Sequence, residues 1–265
     1  MFLEHFGMHT APFERGAASN ALFESSQFSE GLARLLYSCQ RRTLALVTGE
    51  VGTGKSTMLR FLRHKLDPNN YFFIYIADSN LSPRNFYTLA VSMLGVEPRT
   101  QLPKLKQQFK SITMDLYEGK GQSCVIAIDE AQTLELSMLQ ELRFIMNFKT
   151  DSFSPLSLIL SGQAELRSTL RTLHMAAIWR RIDTNYHITG LDLAEAKAYI
   201  THQLSVSGCS RPLFPEDVVN RIHERAKGIP ATLNTLCKGC LLDAASRKQD
   251  LVDAENLNRV LVEFT

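Results

Sequence analysis

A glycine-rich turn with an apolar run before it and a helical stretch after it constrains this chain more than any other feature. Leu44-Ala45-Leu46-Val47-Thr48 leads into Gly49-Glu50-Val51-Gly52-Thr53-Gly54-Lys55-Ser56, and helical spacing continues over residues 55–66. The pattern G-x-x-x-x-G-K-[ST] builds a phosphate-binding loop when a strand precedes it and a helix begins inside it, and both conditions are met. Gly49, Gly52 and Gly54 let the backbone turn tightly enough for successive N–H groups to surround an anion, and the helix N-terminus adds partial positive charge. Lys55 is expected to reach the β- and γ-phosphates of ATP and Ser56 to offer its hydroxyl to Mg²⁺, with Thr57 completing the nucleotide contacts. Loops of this kind belong to α/β folds.

Short apolar runs alternate with longer helical patterns, as a parallel sheet with crossover helices requires. Strands are predicted over residues 44–48, 71–76, 123–128, 156–161 and 184–188, where nearly unbroken apolar character suits strands covered on both faces. Helices are predicted over 29–40, 55–66, 83–94, 102–117 and 135–149. After Gly190 the strand signal stops. Asp192 with Glu195 forms a capping-box pattern opening a helix to Val206, and Val218, Ile222 and Ala226 make one stripe of the next. Gly228 and Pro230 separate that helix from its successor, and Leu257, Val260, Leu261 and Phe264 share a face of the last. The expected organisation is an N-terminal segment, 1–40, packed on the core of an α/β nucleotide-binding domain, 41–190, with a small helical domain over 191–265.

The third predicted strand, Val125-Ile126-Ala127-Ile128, ends in Asp129-Glu130. Ligands of open α/β sheets bind at the C-terminal ends of strands, so both carboxylates are delivered where the phosphates should lie. Asp129 is expected to hold Mg²⁺ and Glu130 to polarise the attacking water. Standing alone, an Asp-Glu pair after an apolar run is a strand end with a helix cap; behind a phosphate-binding loop, with one strand between, it becomes catalytic.

Charge and composition narrow the partners only slightly. The 265 residues carry a net charge of +2 and are 45% hydrophobic, enough for a buried core and too balanced for a polyelectrolyte that coats nucleic acid. No apolar run approaches the roughly 20 residues of a spanning helix, so no membrane segment is expected. The opening Met1-Phe2-Leu3-Glu4-His5-Phe6-Gly7 lacks the basic and apolar regions of a signal peptide, and a cytoplasmic location is the expectation. Five scattered cysteines (Cys39, Cys124, Cys209, Cys237, Cys240) do not describe a disulfide framework. Cys237 and Cys240 have CxxC spacing within a helical stretch, which leaves helix packing and metal or redox chemistry both open.

Taken in order, Phe6-Gly7 with Pro12-Phe13, the run from Leu46 to Ser56, Asp129-Glu130-Ala131-Gln132, Glu141-Leu142-Arg143 leading to Asn147, Ser161-Gly162-Gln163 with Glu165-Leu166, and Gly228-Ile229-Pro230 with Asn234 and Cys237 make a series. That series resembles the ExeA/GspA group of AAA+ proteins, a family related to the transposition ATPases TnsC, TniB and MuB. The resemblance implies a P-loop AAA+ core with a five-stranded parallel sheet, a helical lid, and ATP between them. It also implies that Gln163 is the sensor-1 residue facing the γ-phosphate, with Ser161 as the alternative and a plain surface amide as the ordinary reading. Arg181, beside Arg180, is similar to an arginine finger that enters a neighbouring subunit's site, although helix-end arginines also satisfy the C-terminal dipole. Relatives read Gly-x-Pro-Arg where this chain has Gly228-Ile229-Pro230-Ala231, so the sensor-2 arginine is replaced by alanine. Phe6, Phe13 and Phe23 fall where the family's N-terminal segment packs on adenine; core packing is equally open.

Two readings of the ATPase's purpose differ in class. In one it assembles as a homo-oligomeric ring or filament on duplex DNA and recruits or licenses a transposase; in the other it serves secretion-system assembly. The secretion relatives continue into a transmembrane helix and a peptidoglycan-binding region, whereas this sequence stops at Thr265, and transposition is the expectation on that ground. Arg99, Lys104, Lys106, Lys110 and Lys120 are its candidate phosphate contacts, or else a solvated helix face. A non-hydrolysing ATP-gated module is a third reading, opposed by Glu130 and favoured by Ala231.

Overall fold

The computed structural model describes residues 2–14, 22–78, 81–150 and 152–263. Five strands, β1 (Leu44–Gly49), β2 (Tyr71–Ile76), β3 (Ser123–Ile128), β4 (Leu156–Gly162) and β5 (Ile182–Ile188), pair in parallel in the order β2-β3-β4-β1-β5. The three central strands are buried at every position, which is why they read as unbroken apolar runs. β5, at an edge, alternates buried and half-open positions and starts two residues earlier than predicted, because Ile182 pairs with Leu44 across a register shift. The strand order puts the ends of β1 and β3 on either side of the end of β4, so Gly49, Asp129 and the Ser161–Gln163 turn come together at the C-terminal ends of the strands.

The chain forms two compact units, one of Phe28–Val51 and Lys55–Ile188, the other of Met1–Gln27, Gly52–Gly54 and Thr189–Thr265. The first holds the sheet with α2 (Ser26–Arg41, from Phe28 on), α3 (Lys55–Lys65), α4 (Pro83–Met93), α5 (Leu102–Lys120), α6 (Leu136–Ile145), α7 (Ala164–Leu170) and the short α8 (Ala176–Trp179). Ser82 caps α4 by accepting from the Asn85 amide at 3.2 Å, and Pro83 takes the first helical position. α5 continues past the predicted stop to Gly121, which takes a left-handed cap with φ 67°. α6 ends earlier than predicted, because Lys149 and Thr150 adopt φ of 44° and 60° and Phe148 turns back to bridge Phe153.

In the second unit, α9 (Leu193–Val206) opens where the capping pattern placed it, with Asp192 accepting from the Glu195 amide at 2.8 Å. It is followed by α10 (Glu216–Ala226), α11 (Pro230–Ser246) and α12 (Ala254–Glu263); Phe264 lies outside the described residues. The N-terminal segment differs from expectation. Residues 1–27, with α1 (Phe2–Phe6), group with this helical unit. The physical reason is an apolar stripe on the helices that needs a cover: Phe6, Met8 and Phe13 are buried among Leu204, Leu213, Phe214 and Leu236, and the His9 amide donates to Ser207 O at 2.8 Å. Phe13 meets Phe214 edge-on at 6.3 Å and Phe23 meets Tyr199 at 5.6 Å. All three phenylalanines are thus engaged by their own unit. Cys237 and Cys240 also face this core, their thiols raised well above the ordinary range and to about 12 respectively, chiefly by burial. Among the described residues, no helix is long and apolar enough to cross a membrane.

Candidate functional site

The glycine-rich loop leaves β1 after Gly49 and enters α3 at Lys55. Gly52 and Gly54 adopt φ of 86° and 102°, values an L side chain resists. Lys55 is 6% exposed, and its Nζ donates to Gly49 O at 2.9 Å and Glu50 O at 3.0 Å. Burial lowers the pKa of this ammonium, opposed by the charges of Glu130, Asp129, Glu50 and Glu165 in that order. Because desolvation outweighs those carboxylates, an added polyanion would stabilise the charged lysine, as phosphate does in such loops. Thr53 is buried, Thr57 half-buried, and Ser56 and Glu50 exposed; Val51, at the tip, is 67% exposed.

Asp129 sits at the end of β3 and is 2% exposed. Its Oδ1 accepts from Ser161 Oγ at 2.7 Å and from the Glu130 amide at 3.0 Å, and its Oδ2 accepts from the Tyr75 hydroxyl at 2.8 Å. Burial and the bond to Asp129 push the Tyr75 phenol up to about 12, so it stays a donor at neutral pH. Tyr75 and Ser56 line one pocket of about 360 Å³ between β2 and α3. A serine hydroxyl and a carboxylate are hard oxygen donors suited to Mg²⁺. Among the described residues no group of three histidine, cysteine, aspartate or glutamate side chains gathers as a metal site, so the remaining positions would fall to phosphate and water, the usual pattern for this ion. ATP with Mg²⁺ fits the residues present.

Glu130 follows in a left-handed conformation, φ 51° and ψ 36°, and opens a single 3₁₀ turn over Ala131–Thr133. Its Oε2 accepts from Gln132 Nε2 at 2.6 Å, while Gln132 Oε1 accepts from the Gln163 amide at 3.0 Å. Of the two sensor-1 alternatives, Ser161 brings a side chain to Asp129; Gln163 enters the network through its backbone, and its side chain makes no capping bond to α7.

Arg181 and Arg180 are exposed, and Arg181 Nη1 donates to Arg143 O at 3.2 Å. Arg181 immediately precedes β5, whose first residue pairs with Leu44 at the start of β1, whereas the phosphate loop leaves the other end of that six-residue strand. The two are therefore separated by roughly 20 Å along the strand direction. Two of the proposed DNA-facing lysines are committed elsewhere: Lys106 pairs with the largely buried Glu141 at 2.7 Å, and Lys110 donates to Asn147 O at 2.9 Å and lies over the Phe148 ring. The packing of α5 on its neighbours draws both inward. Ala231 is the second residue of α11, and within the helical unit its amide donates to Gly52 O at 3.2 Å.

Two members of this site had no role assigned from sequence. Tyr75 lies in an aromatic strand where any ring would suit packing, and only the β2–β3 register, with Asp129 N donating to Ile76 O at 2.8 Å, brings its hydroxyl to the carboxylate. Gln132 is part of the Asp129–Gln132 motif, but its two bonds depend on where β4 ends.

Residues 38–170 match the family described as AAA domain. The chain is 31% identical over 255 residues to general secretion pathway protein A of Aeromonas hydrophila, an alignment covering 93% of this chain and 45% of that protein, so the chain spans less than half the length of that relative. Among solved structures, Cdc6p from Pyrobaculum aerophilum has a similar fold, with a TM-score of 0.71, 14% identity, and coverage of 95% of this chain and 70% of that one. The RuvB Holliday junction branch migration motor of Thermotoga maritima aligns with a TM-score of 0.63 and 16% identity, over 95% of this chain and 73% of its own.

Proposed function

The chain belongs to the AAA domain family, and on that premise we propose that it is a Mg²⁺-dependent ATPase whose hydrolytic site is built from Lys55, Ser56, Asp129 and Glu130 and completed by Arg181 of a second copy. The observation that carries this reading is the pair of carboxylates at the end of β3. Asp129 is buried and held by Ser161 and Tyr75, and Glu130 is the largest single charge influence on Lys55. The backbone from Gly49 to Gly54, with the start of α3 at Lys55, Ser56 and Thr57, binds the phosphates, and Lys55 balances their charge. Bound Mg²⁺ would neutralise charge on the β- and γ-oxygens, with Ser56 and Asp129 as its protein-side donors. Glu130 orients the attacking water, and Ser161 or Gln163 answers to the γ-phosphate. Because Arg181 stands at the far end of the strands from its own phosphate loop, its finger role is exercised on a neighbour, which implies a homo-oligomer.

For the biological setting, the identity to a general secretion pathway protein over nearly the whole chain supports a role in secretion. The transposition reading, with duplex DNA and a transposase as partners, loses support from the inward commitment of Lys106 and Lys110.

The site is tested by two variants. Lys55→Ala should weaken ATP binding by more than about 100-fold, and Glu130→Gln should keep binding while lowering hydrolysis by about 100-fold or more. Parental hydrolysis in Glu130→Gln would refute the water-orienting role. The setting is tested by retention on duplex DNA at low salt with ATP: no ATP-dependent retention is expected, and finding it would return the weight to transposition.

A further inference from the structure

The ladder between β3 and β4 runs as far as Ile128 and Leu160. Beyond it the two strands remain linked by side chains, first Ser161 to Asp129, then Gln132 to the Gln163 amide. Gln132 occupies the second link with a group that has two unlike ends. The Gln163 N–H is a donor, so the amide must turn its oxygen there; its nitrogen, which only donates, then faces Glu130. The 2.6 Å approach to Glu130 Oε2 is that of a charge-assisted bond. Two further features make room for this arrangement. The left-handed backbone at Glu130 starts the 3₁₀ turn that folds residue 132 back beside residue 130. Gly162 has no Cβ, and one placed there would lie 2.7 Å from Gln132 Oε1 and 3.3 Å from its backbone nitrogen.

From this geometry we infer that Gln132 is the positioning residue of the hydrolytic carboxylate: its amide ties Glu130 to the end of β4 and fixes the direction in which Glu130 meets water. The inference rests on the reading of Glu130 as the water-orienting group. Gln132 touches neither substrate nor metal in this role and acts only through Glu130. Its tie to the Gln163 amide also makes the carboxylate's position depend on the turn expected to register the γ-phosphate, so the two ends of the link move together.

Two substitutions separate the halves of the link. Gln132→Met keeps the volume and removes both bonds. Gln132→Glu keeps an acceptor for the Gln163 amide but sets an oxygen against Glu130 in place of a donor. ATP affinity by titration with a fluorescent nucleotide, and kcat at saturating ATP, are measured for each, alone and with Glu130→Gln, using single-turnover assays for slow variants. Both should lower kcat by about 10- to 100-fold with ATP affinity changed less than about threefold. Neither should add further loss to Glu130→Gln, since a group acting through Glu130 has nothing left to act on. Should Gln132→Met fail to fold, Gln132→Glu alone carries the test, because it preserves the strand link. Parental kcat in Gln132→Glu, a loss confined to affinity, or an undiminished effect in the Glu130→Gln background would each overturn the inference. Its failure is distinct from failure of the ATPase reading, which would show as hydrolysis persisting in Glu130→Gln itself.

Discussion

Ala231 stands where the resemblance to AAA+ proteins implies a sensor-2 arginine. Its amide contacts the carbonyl of Gly52, and a Cβ added to Gly52 would fall 2.5 Å from the Ala231 Cβ. An arginine here could make a charge-assisted bond to the γ-phosphate, which ADP lacks; alanine makes none. Ala231→Arg should therefore raise the preference for ATP over ADP by about tenfold, measured by calorimetry at concentrations that keep the protein monomeric; equal gains for both nucleotides would show a general attraction of charge instead. Gly52→Ala should be worse than neutral on two counts, a left-handed backbone and a steric collision, with phosphate binding lost alongside about 1 kcal/mol or more of stability. The glycine-rich loop and the Asp129-Glu130 pair could be singled out at this scale because each is a local pattern of residue types. Gln132 and Tyr75 were not assigned, because their roles come from strand register and from where β4 stops, neither of which leaves a local pattern.

Elements were legible wherever a helix or strand carries its own start and stop. Asp192–Glu195 announced α9, and the buried central strands were plain as apolar runs. The end of α6 was missed, because the turn that stops it depends on Phe148 meeting Phe153, a contact made after the chain has folded back. The α11–α12 pair contains an acid-sensitive clasp. Arg259 Nε and Nη2 donate to Asp243 Oδ2 at 2.9 and 2.7 Å, and Asn256 and Arg247 add further bonds. The Arg259 bond is the chief reason the Asp243 carboxyl sits at about 2 against an ordinary 3.8. Between those values the unfolded chain binds the proton and the folded one does not. The clasp's contribution is full above the ordinary value and is lost as pH falls through about 2. Acid unfolding followed by circular dichroism should show this loss, and Asp243→Asn should flatten the slope in that window while lowering stability at neutral pH.

At the scale of the whole molecule, Arg181 and Gly49 lie at opposite ends of neighbouring strands, so the proposed finger role calls for two chains in head-to-tail contact. Hydrolysis per subunit should rise with protein concentration, and Arg181→Ala should remove that rise. Mixing provides the sharper measurement. Arg181→Ala retains Glu130 but offers no finger, while Glu130→Gln offers a finger but cannot orient water. Each alone should be slow, and an equimolar mixture should recover a measurable share of parental turnover; a mixture no faster than the mean of its parts would exclude Arg181 as the trans group. The division of the chain was only partly legible. The change to all-helical patterning after Gly190 marked one boundary, but the allegiance of the N-terminal aromatics to the helices depends on a hydrophobic cluster between segments far apart in sequence.

That allegiance has a consequence for synthesis on the ribosome. Phe6, Met8 and Phe13 emerge before the sheet unit, yet their partners in the helical unit, Leu204, Leu213, Phe214 and Leu236, emerge only after it has been made. At about 5–20 residues per second the gap is on the order of ten seconds or more. Through that interval the nascent chain carries an unsatisfied aromatic leader ahead of a sheet already able to close. The sheet unit should become protease-resistant on stalled ribosomes before the leader does, and the leader should be where trigger-type chaperones are captured by crosslinking.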